Sequence, residues 1–380
     1  MMNGPEQTRV QNAMKISEIP TPSLLLDLDV LERNLSRMAG RAASLGVALR
    51  PHVKTHKCLE VAGLQRELGA AGITVSTLYE ARVFAEHGFT DLTWAFPVIL
   101  SRREEIRQLA ERVTLRLVVD SEEAVRGLED LGLPLHVWLK VDCGYHRAGV
   151  DPEAPASLEL ARRIAGSYSL TFDGILTHSG HAYHGRTRDE VVAAAEEERR
   201  VMAGFAERLR AAGVPVPGVS VGSTPAMSVV ERLDGVTEAR PGNYAFYDFM
   251  QVGLGSCGIG DCAVTVLASV VSSRQGTRPG DAGCVIDAGA LALSKDRGLD
   301  WTEPPTLGEV FADYAAGLLS PIARLTSLSQ EHGILSRRRP VGTRVRILPN
   351  HSCLTAACFD EYVVVRGDEV VDRWKIWRGR

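Results

Sequence analysis

Residues 91–141 read DLTWAFPVILSRREEIRQLAERVTLRLVVDSEEAVRGLEDLGLPLHVWLKV. Three short apolar runs, at 91–95, 115–119 and 136–141, are separated by Glu- and Arg-rich stretches whose apolar residues recur at helical spacing. Strands that alternate with amphipathic helices in this way indicate βαβ units and a parallel sheet.

The same alternation extends in both directions, from a first candidate strand at 23–27 to a last one at 236–240. About eight such units over roughly 240 residues fit a (β/α)8 barrel better than an open, doubly wound sheet. We therefore predict an α/β protein in which residues 22–260 form a (β/α)8 (TIM) barrel. In such a barrel the chemistry collects at the C-terminal ends of the strands.

The composition changes after about residue 260. The segments CAVTVLASVVSS, TRVRILPN and YVVVRGDEVVDRWKIW are strand-like, and little helical pattern lies between them. Within the last segment, VRGDEVV is typical of a β-hairpin. We predict that residues 261–380 form a mainly antiparallel β domain, joined by the strand at 23–27.

The overall composition favours a small-molecule partner. A formal net charge of −4 gives no electrostatic footprint for nucleic acid or for an anionic membrane. No apolar run approaches the length of a membrane span, and the first 15 residues lack the apolar core of a secretory signal. Seven scattered cysteines without a framework spacing are typical of reduced thiols, so we expect a cytoplasmic protein.

The densest group of reactive side chains is RPHVKTHK at residues 50–57. A lysine at the end of a strand, flanked by apolar groups and imidazoles, suits a Schiff-base amine, since partial desolvation frees the neutral nucleophile. An isolated KTHK is more commonly a basic surface loop. The neighbouring motifs make Lys54 the stronger candidate.

Two further strand ends carry reactive groups. VDCGYHRAG at 141–149 places Arg147 after a predicted strand, and THSGHAYH at 177–184 crowds three histidines around Tyr183. A lone histidine is usually structural. Three histidines within seven residues indicate the wall of a ligand-binding site.

Two loops have the composition of phosphate sites. SVGSTPA at 220–226 offers a glycine and two hydroxyls directly after a strand, and RPGNY at 240–244 follows the next strand. Such loops bind phosphate through backbone N–H groups and side-chain oxygens. Phosphate loops late in a (β/α)8 barrel are a recurring arrangement.

PNHSC at residues 349–353 is a candidate metal site. In an extended segment, residues two apart point to the same face, so His351 and Cys353 would converge. An imidazole and a thiolate suit Zn²⁺ and would leave coordination positions open. Taken alone, a His-x-Cys pattern is more often a structural histidine beside a buried cysteine.

In this order, the motifs resemble the D-serine dehydratase/D-threonine aldolase family, whose members depend on pyridoxal 5'-phosphate and a divalent metal. The resemblance runs from about Pro22 to Trp377. It implies the alanine-racemase-like fold (fold type III), a cofactor-binding barrel followed by a β domain. The motifs that carry it are PHVKTHK, GITVSTLYEA, VDCGYHRAG, ILTHSGHAY, VGSTPA, TEARPGNYAFYD, QEHGIL and ILPNHSC.

The resemblance also implies roles for individual residues. Lys54 matches the family's Schiff-base lysine, and Lys54, Tyr183 and His181 are the catalytic candidates. His351 and Cys353 match the metal ligands, with zinc expected and manganese or magnesium as alternatives. The residues expected to contact the cofactor are Lys54, Arg147, His178, Tyr183, Ser223, Thr224, Arg240, Gly242 and Asn243.

The expected activity is that of a lyase acting on a β-hydroxy-D-amino acid: D-serine, D-threonine or 3-hydroxy-D-aspartate. In α,β-elimination, Lys54 removes the α-proton and the metal assists the loss of the hydroxyl. In retro-aldol cleavage, His52, His56 or His181 deprotonates the β-hydroxyl. Cysteine as the second ligand favours elimination. A racemase or a non-catalytic cofactor-binding protein fits less well, because neither explains the ligand pair; a homodimer is expected by analogy.

Overall fold

The described residues of the chain form two sheets, one of eight parallel strands and one of nine mainly antiparallel strands. The computed structural model describes residues 14–274, 283–301, 303 and 305–380. Most of the first 15 residues, in which the sequence predicted no secretory signal, lie outside these ranges. In the part of the chain that is described, no helix is long and apolar enough to cross a membrane.

The first strand, β1 (Ser23–Asp27), belongs to the antiparallel sheet, and the parallel barrel begins with the second strand. The barrel strands are β2 (Ala48–Leu49), β3 (Ile73–Val75), β4 (Asp91–Pro97), β5 (Thr114–Val119), β6 (Leu135–Lys140), β7 (Leu170–Leu176), β8 (Gly218–Val221) and β9 (Glu238–Ala239). Around the barrel, neighbouring strands follow the order β2, β9, β8, β7, β6, β5, β4, β3.

Helices connect successive barrel strands. Four of them follow a Ser or Thr whose side chain accepts a backbone N–H and so satisfies one of the free donors of the first turn. The helices of the chain are α1 (Leu28–Ser44), α2 (Leu59–Glu67), α3 (Leu78–Glu86), α4 (Arg103–Ala110), α5 (Glu122–Glu129), α6 (Pro155–Ala165), α7 (Arg188–Ala211), α8 (Thr224–Val229), α9 (Phe249–Gly253), α10 (Ala290–Leu293) and α11 (Ser352–Ala356).

The barrel closes next to the KTHK motif. The strand predicted at 48–53 pairs with β9 only through Ala48 and Leu49, and Pro51 has no N–H to donate to a ladder. A single bridge between His52 and Thr74 then joins this segment to β3. The chain turns directly afterwards into a 3₁₀ helix, Val53–Thr55, which carries Lys54.

Paired charges fill part of the barrel interior. Arg50 is 4% exposed; its Nε lies 2.6 Å from Oε2 of Glu238, and its Nη1 lies 2.6 Å from Oδ1 of Asp91. Arg116 joins Asp91 to Asp173 at 3.0 and 2.5 Å. Because an unpaired buried charge is strongly destabilising, these contacts tie β2, β4, β5, β7 and β9 into one arrangement.

In the second sheet, β1 pairs antiparallel with one strand that follows the barrel and parallel with another. The two last strands form a hairpin around Gly367 and Asp368, as VRGDEVV predicted. We propose residues 22–260 and 261–380 as the two domains, with β1 contributed to the second. The later strands are β10 (Val264–Arg274), β11 (Gly283–Ile286), β12 (Glu309–Asp313), β13 (Leu318–Leu328), β14 (Gly333–Leu335), β15 (Arg344–Leu348), β16 (Glu361–Arg366) and β17 (Glu369–Lys375).

Gly174 in β7 is a point where the barrel tolerates no side chain. Its φ is +123°, and a Cβ there would lie 1.9 Å from the carbonyl oxygen of Gly218. We expect Gly174→Ala to lower the free energy of unfolding by about 3 kcal/mol or more in urea denaturation. The control is Gly204→Ala in α7, where a Cβ meets nothing within 4 Å; it should stabilise by about 1 kcal/mol. Equal stability of the two variants would contradict this account of β7.

Candidate active site

A cavity lies where the C-terminal ends of the barrel strands face the second domain. This is the position typical of a small-molecule site in a barrel. Both domains contribute to it. Of the residues predicted for the site, those that line the cavity are Lys54, Arg147, His178, Tyr183, Ser223, Thr224, Arg240, Gly242, Asn243, His351 and Cys353.

His181 was also predicted, but it lies outside the cavity lining. The 3₁₀ helix Gly180–His184 brings Tyr183 to the cavity, whereas His181 packs against Gly144. Both ring nitrogens of His181 are buried without a hydrogen-bond partner among the described residues, and Oε2 of Glu197 lies 3.9 Å from its Nε2. His181 is thus set apart from the other predicted residues, and its catalytic role stays a prediction.

Lys54 projects into the cavity from the turn that closes the barrel. Its side chain is exposed because it points into this open space, while protein surrounds it on the other sides. Burial lowers the pKa of Lys54; the charge of Cys353 opposes this, and that of Arg147 adds to it. Its Nζ has no hydrogen-bond partner within the described ranges, so the amine is free to react.

A second lysine, Lys140, lines the cavity at the end of β6 and was not singled out from the sequence. It is 7% exposed. Burial, together with the charges of Arg240 and Arg147, lowers the pKa of Lys140 to about 8. The cavity thus contains two lysines with lowered pKa values, and Lys54 is the more accessible.

The three histidines near Lys54 differ in environment. His52 and His178 line the cavity, and burial beside the charge of Lys54 holds the pKa of each well below its usual range, so both are neutral. His56 is fully buried, with its Nε2 3.3 Å from Oε1 of Gln65 and its Nδ1 accepting the N–H of Cys58. His56 is therefore a structural residue.

The two loops predicted to bind phosphate lie side by side. Ser223, Gly242 and Asn243 line the cavity, and their backbone N–H groups meet no acceptor among the residues described. We call these three groups the amide cup. A Cβ on Gly242 would lie 2.8 Å from the carbonyl oxygen of His52, so only glycine permits this close approach. Free N–H groups in a cationic cavity suit a phosphate.

Arg240 lines the same cavity as the amide cup, and two hydrogen bonds hold its guanidinium in place. Its Nη1 donates to Oγ of Ser220, and its Nη2 donates to the carbonyl oxygen of Thr177. Ser220 in turn donates to Oε1 of Glu238 at 2.6 Å. Arg240 is thereby connected through Glu238 to the ion pairs around Arg50.

His351 and Cys353 line the same cavity from the second domain. The expectation that they share an extended segment was wrong, because α11 begins at Ser352 and has His351 as its N-cap residue. Burial opposes ionisation of Cys353, but the charge of His351 and hydrogen bonds with His351 and Thr55 lower its pKa to about 7. The imidazole and the thiol therefore lie close enough to interact with each other.

Asp296 contacts His351 from outside the cavity lining and was given no role from the sequence. Its Oδ2 lies 2.9 Å from Nδ1 of His351. A carboxylate on one ring nitrogen fixes the ring and leaves the other nitrogen for a metal. Among the described residues, no group of three or more His, Cys, Asp or Glu side chains could hold a metal. The two ligands fit a metal that keeps open positions.

Family models match both parts of the chain. One described as "Alanine racemase, N-terminal domain" matches residues 26–248, and one described as "Putative serine dehydratase domain" matches residues 263–365. The chain belongs to the D-serine dehydratase/D-threonine aldolase family. The predicted family, alanine-racemase-like fold and lyase class are confirmed. Pyridoxal phosphate fits this family and the cavity described above.

Members of the family resemble the chain over nearly its whole length. D-threo-3-hydroxyaspartate dehydratase from Delftia sp. (strain HT23) is 40% identical, covering 95% of this chain and 98% of its own. D-serine dehydratase from Dictyostelium discoideum is 36% identical, covering 96% and 98%.

Solved structures agree. A mutant of D-threo-3-hydroxyaspartate dehydratase in the metal-free form gives a TM-score of 0.90 at 38% identity, covering 97% of this chain and 100% of that one. The D-threonine aldolase from Filomicrobium marinum gives 0.82 at 31%, covering 96% and 98%.

The environment of Lys54 has a measurable consequence. Because burial lowers its pKa, we expect Lys54 to be acetylated at lower pH than a lysine model compound, whose pKa is 10.5. Labelling with limiting acetic anhydride across a pH series, read by peptide mass spectrometry, measures this. The control is the same lysine in the urea-unfolded chain, where the shift should vanish. A profile that unfolding does not change would contradict the assignment.

Proposed function

We propose that the chain is a dehydratase that removes water from a β-hydroxy-D-amino acid and yields a 2-oxo acid and ammonia. One observation carries the proposal: a free lysine amine and a His–Cys pair face the same cavity. Sγ of Cys353 lies 3.3 Å from Oγ1 of Thr55, the residue next to Lys54. The names of the two relatives described above, both dehydratases, support it.

The cavity fits pyridoxal phosphate, which, when bound, draws electrons away from the substrate's α-carbon. Lys54 would hold the aldehyde end, and the amide cup would hold the phosphate. Arg147 brings a cation to the same space. The residues that we assign to cofactor binding are Lys54, Arg147, His178, Tyr183, Ser223, Thr224, Arg240, Gly242 and Asn243.

Lys54 is also the proton carrier in this proposal. Its lowered pKa leaves a fraction of Nζ neutral, and a neutral Nζ without a hydrogen-bond partner accepts the α-proton. Tyr183 lies in the same cavity, and burial, followed by the charges of Cys353 and Asp248, raises the pKa of its hydroxyl. Tyr183 therefore stays protonated and can donate a hydrogen bond to the substrate.

His351 and Cys353 would hold a divalent metal, which acts as a Lewis acid towards the β-hydroxyl when bound. A thiolate with an imidazole favours Zn²⁺ over the harder Mn²⁺ or Mg²⁺. The description of a relative's structure as metal-free supports the use of a metal in the family. Asp296 fixes the ring of His351 for this role.

Retro-aldol cleavage is the second candidate, because it uses the same cofactor, metal and substrate class. It needs a base for the β-hydroxyl. Of the three histidines considered, only His52 lines the cavity, and it is neutral. The cysteine ligand and the dehydratase relatives favour elimination.

We further infer, by analogy with the fold, that the protein is a homodimer. We also infer that it is cytoplasmic, because the described cysteines are all free thiols.

Product analysis distinguishes the two reactions. With purified protein supplied with pyridoxal phosphate and Zn²⁺, we expect D-threonine to give 2-oxobutanoate and ammonia. Chelation of the metal should abolish this, because elimination depends on the Lewis acid. Glycine and acetaldehyde as products would establish an aldolase instead. Full activity in a strong chelator would overturn the metal's role.

A further inference from the structure

Asp248 is a buried carboxylate to which the reaction above gives no role. It is 1% exposed and lies at the N-terminus of α9, where the chain leaves the barrel. Its Oδ1 accepts the N–H of Gln251 at 3.0 Å. Its Oδ2 accepts the N–H and the hydroxyl of Ser352 at 2.9 and 3.1 Å, and Nδ2 of Asn243 at 2.7 Å. Both oxygens are therefore engaged by N–H donors.

These contacts join two parts of the site. Ser352 stands between the candidate metal ligands His351 and Cys353, so Asp248 holds the first turn of the helix that presents Cys353. Two backbone hydrogen bonds add to this attachment, from Phe249 and Met250 to the carbonyl oxygens of Pro349 and Asn350, both at 3.1 Å.

Asn243 faces both sites at once. Its backbone N–H belongs to the amide cup, while its Nδ2 lies 3.0 Å from Oγ of Ser352 and 3.5 Å from Sγ of Cys353. The residue is 6% exposed, and its Oδ1 is buried without a partner among the described residues. An anion on the backbone N–H would fix the 3₁₀ helix Asn243–Ala245 and, with it, the side chain beside Cys353.

We infer that Asn243 and Asp248 form a bridge that couples the amide cup to the metal ligands, so that pyridoxal phosphate and the metal each strengthen the binding of the other. The inference rests on the proposed function. Both residues are positioning residues here, since they act through the segment that carries His351 and Cys353. Coupling of this kind is reciprocal for binding free energies, so it can be measured from either ligand.

Asp248→Asn tests the bridge without changing the side chain's size. Because both carboxylate oxygens accept from N–H groups, an amide in either orientation sets its NH₂ against a donor. The matched control is Asp261→Asn in the same connecting segment, where the carboxylate pairs with Arg37 and accepts from Gly258, away from the cavity. Ser352→Ala is a milder second variant, since it removes one hydroxyl and keeps the backbone contact.

The measurement is Zn²⁺ affinity, by competition with a chromogenic chelator, with and without saturating pyridoxal phosphate. The absorbance of the bound cofactor, with and without Zn²⁺, gives the reciprocal value. We expect the wild type and Asp261→Asn to bind Zn²⁺ about 10-fold more tightly with the cofactor. In Asp248→Asn the ratio should fall to about twofold or less, and in Ser352→Ala to a value between these.

The outcomes separate the two claims. Wild-type protein that binds Zn²⁺ and cofactor with independent affinities overturns the bridge and leaves the proposed function standing. An undiminished ratio in Asp248→Asn does the same, and if that variant does not fold, an undiminished ratio in Ser352→Ala decides against the bridge. Wild-type protein that binds neither Zn²⁺ nor the cofactor overturns the proposed function, and the bridge with it.

Discussion

Arg50 is the constraint on which the arrangement of the barrel depends. A guanidinium buried among parallel strands needs carboxylates at fixed positions, and Arg50 finds them on Glu238 and Asp91. Lys54 follows Arg50 by four residues, in the turn after β2, and Arg240 follows Glu238 by two residues, at the end of β9. The ion pairs that keep Arg50 buried therefore also fix where, along the barrel axis, the turn with Lys54 and the side chain of Arg240 lie.

The cavity above this layer is strongly cationic, and the second domain supplies what the barrel lacks. Lys54, Lys140, Arg147 and Arg240 surround the same space, which suits a phosphate and a substrate carboxylate. The imidazole and thiolate arrive from α11 of the other domain, which is held against the barrel by buried hydrogen bonds to Asp248. Reactive groups from two domains become one site only while that contact persists.

Much of the fold and of the candidate site could be predicted from the sequence, because the reactive residues at the strand ends form short, recognisable motifs. KTHK, the serine–threonine loop and His-x-Cys are short motifs, and alternation alone indicated the barrel. Asp248, Asp296 and Lys140 could not be found this way. Asp248 and Asp296 act through partners about 100 and 55 residues away in the chain, and Lys140 matters only because β6 ends under Arg240 and Arg147. The geometry of His351 and Cys353 was missed because a helix of five residues leaves too short a pattern to recognise.

Two lysines with lowered pKa values face the cavity, so the central claim is that Lys54, and not Lys140, carries the cofactor. Borohydride reduction of the cofactor-loaded protein, followed by peptide mapping, tests this directly, because reduction fixes the cofactor on the lysine to which it is joined. The account predicts the modified residue to be Lys54, with Lys140 unmodified. A cofactor fixed on Lys140, or on no lysine of the cavity, would contradict it.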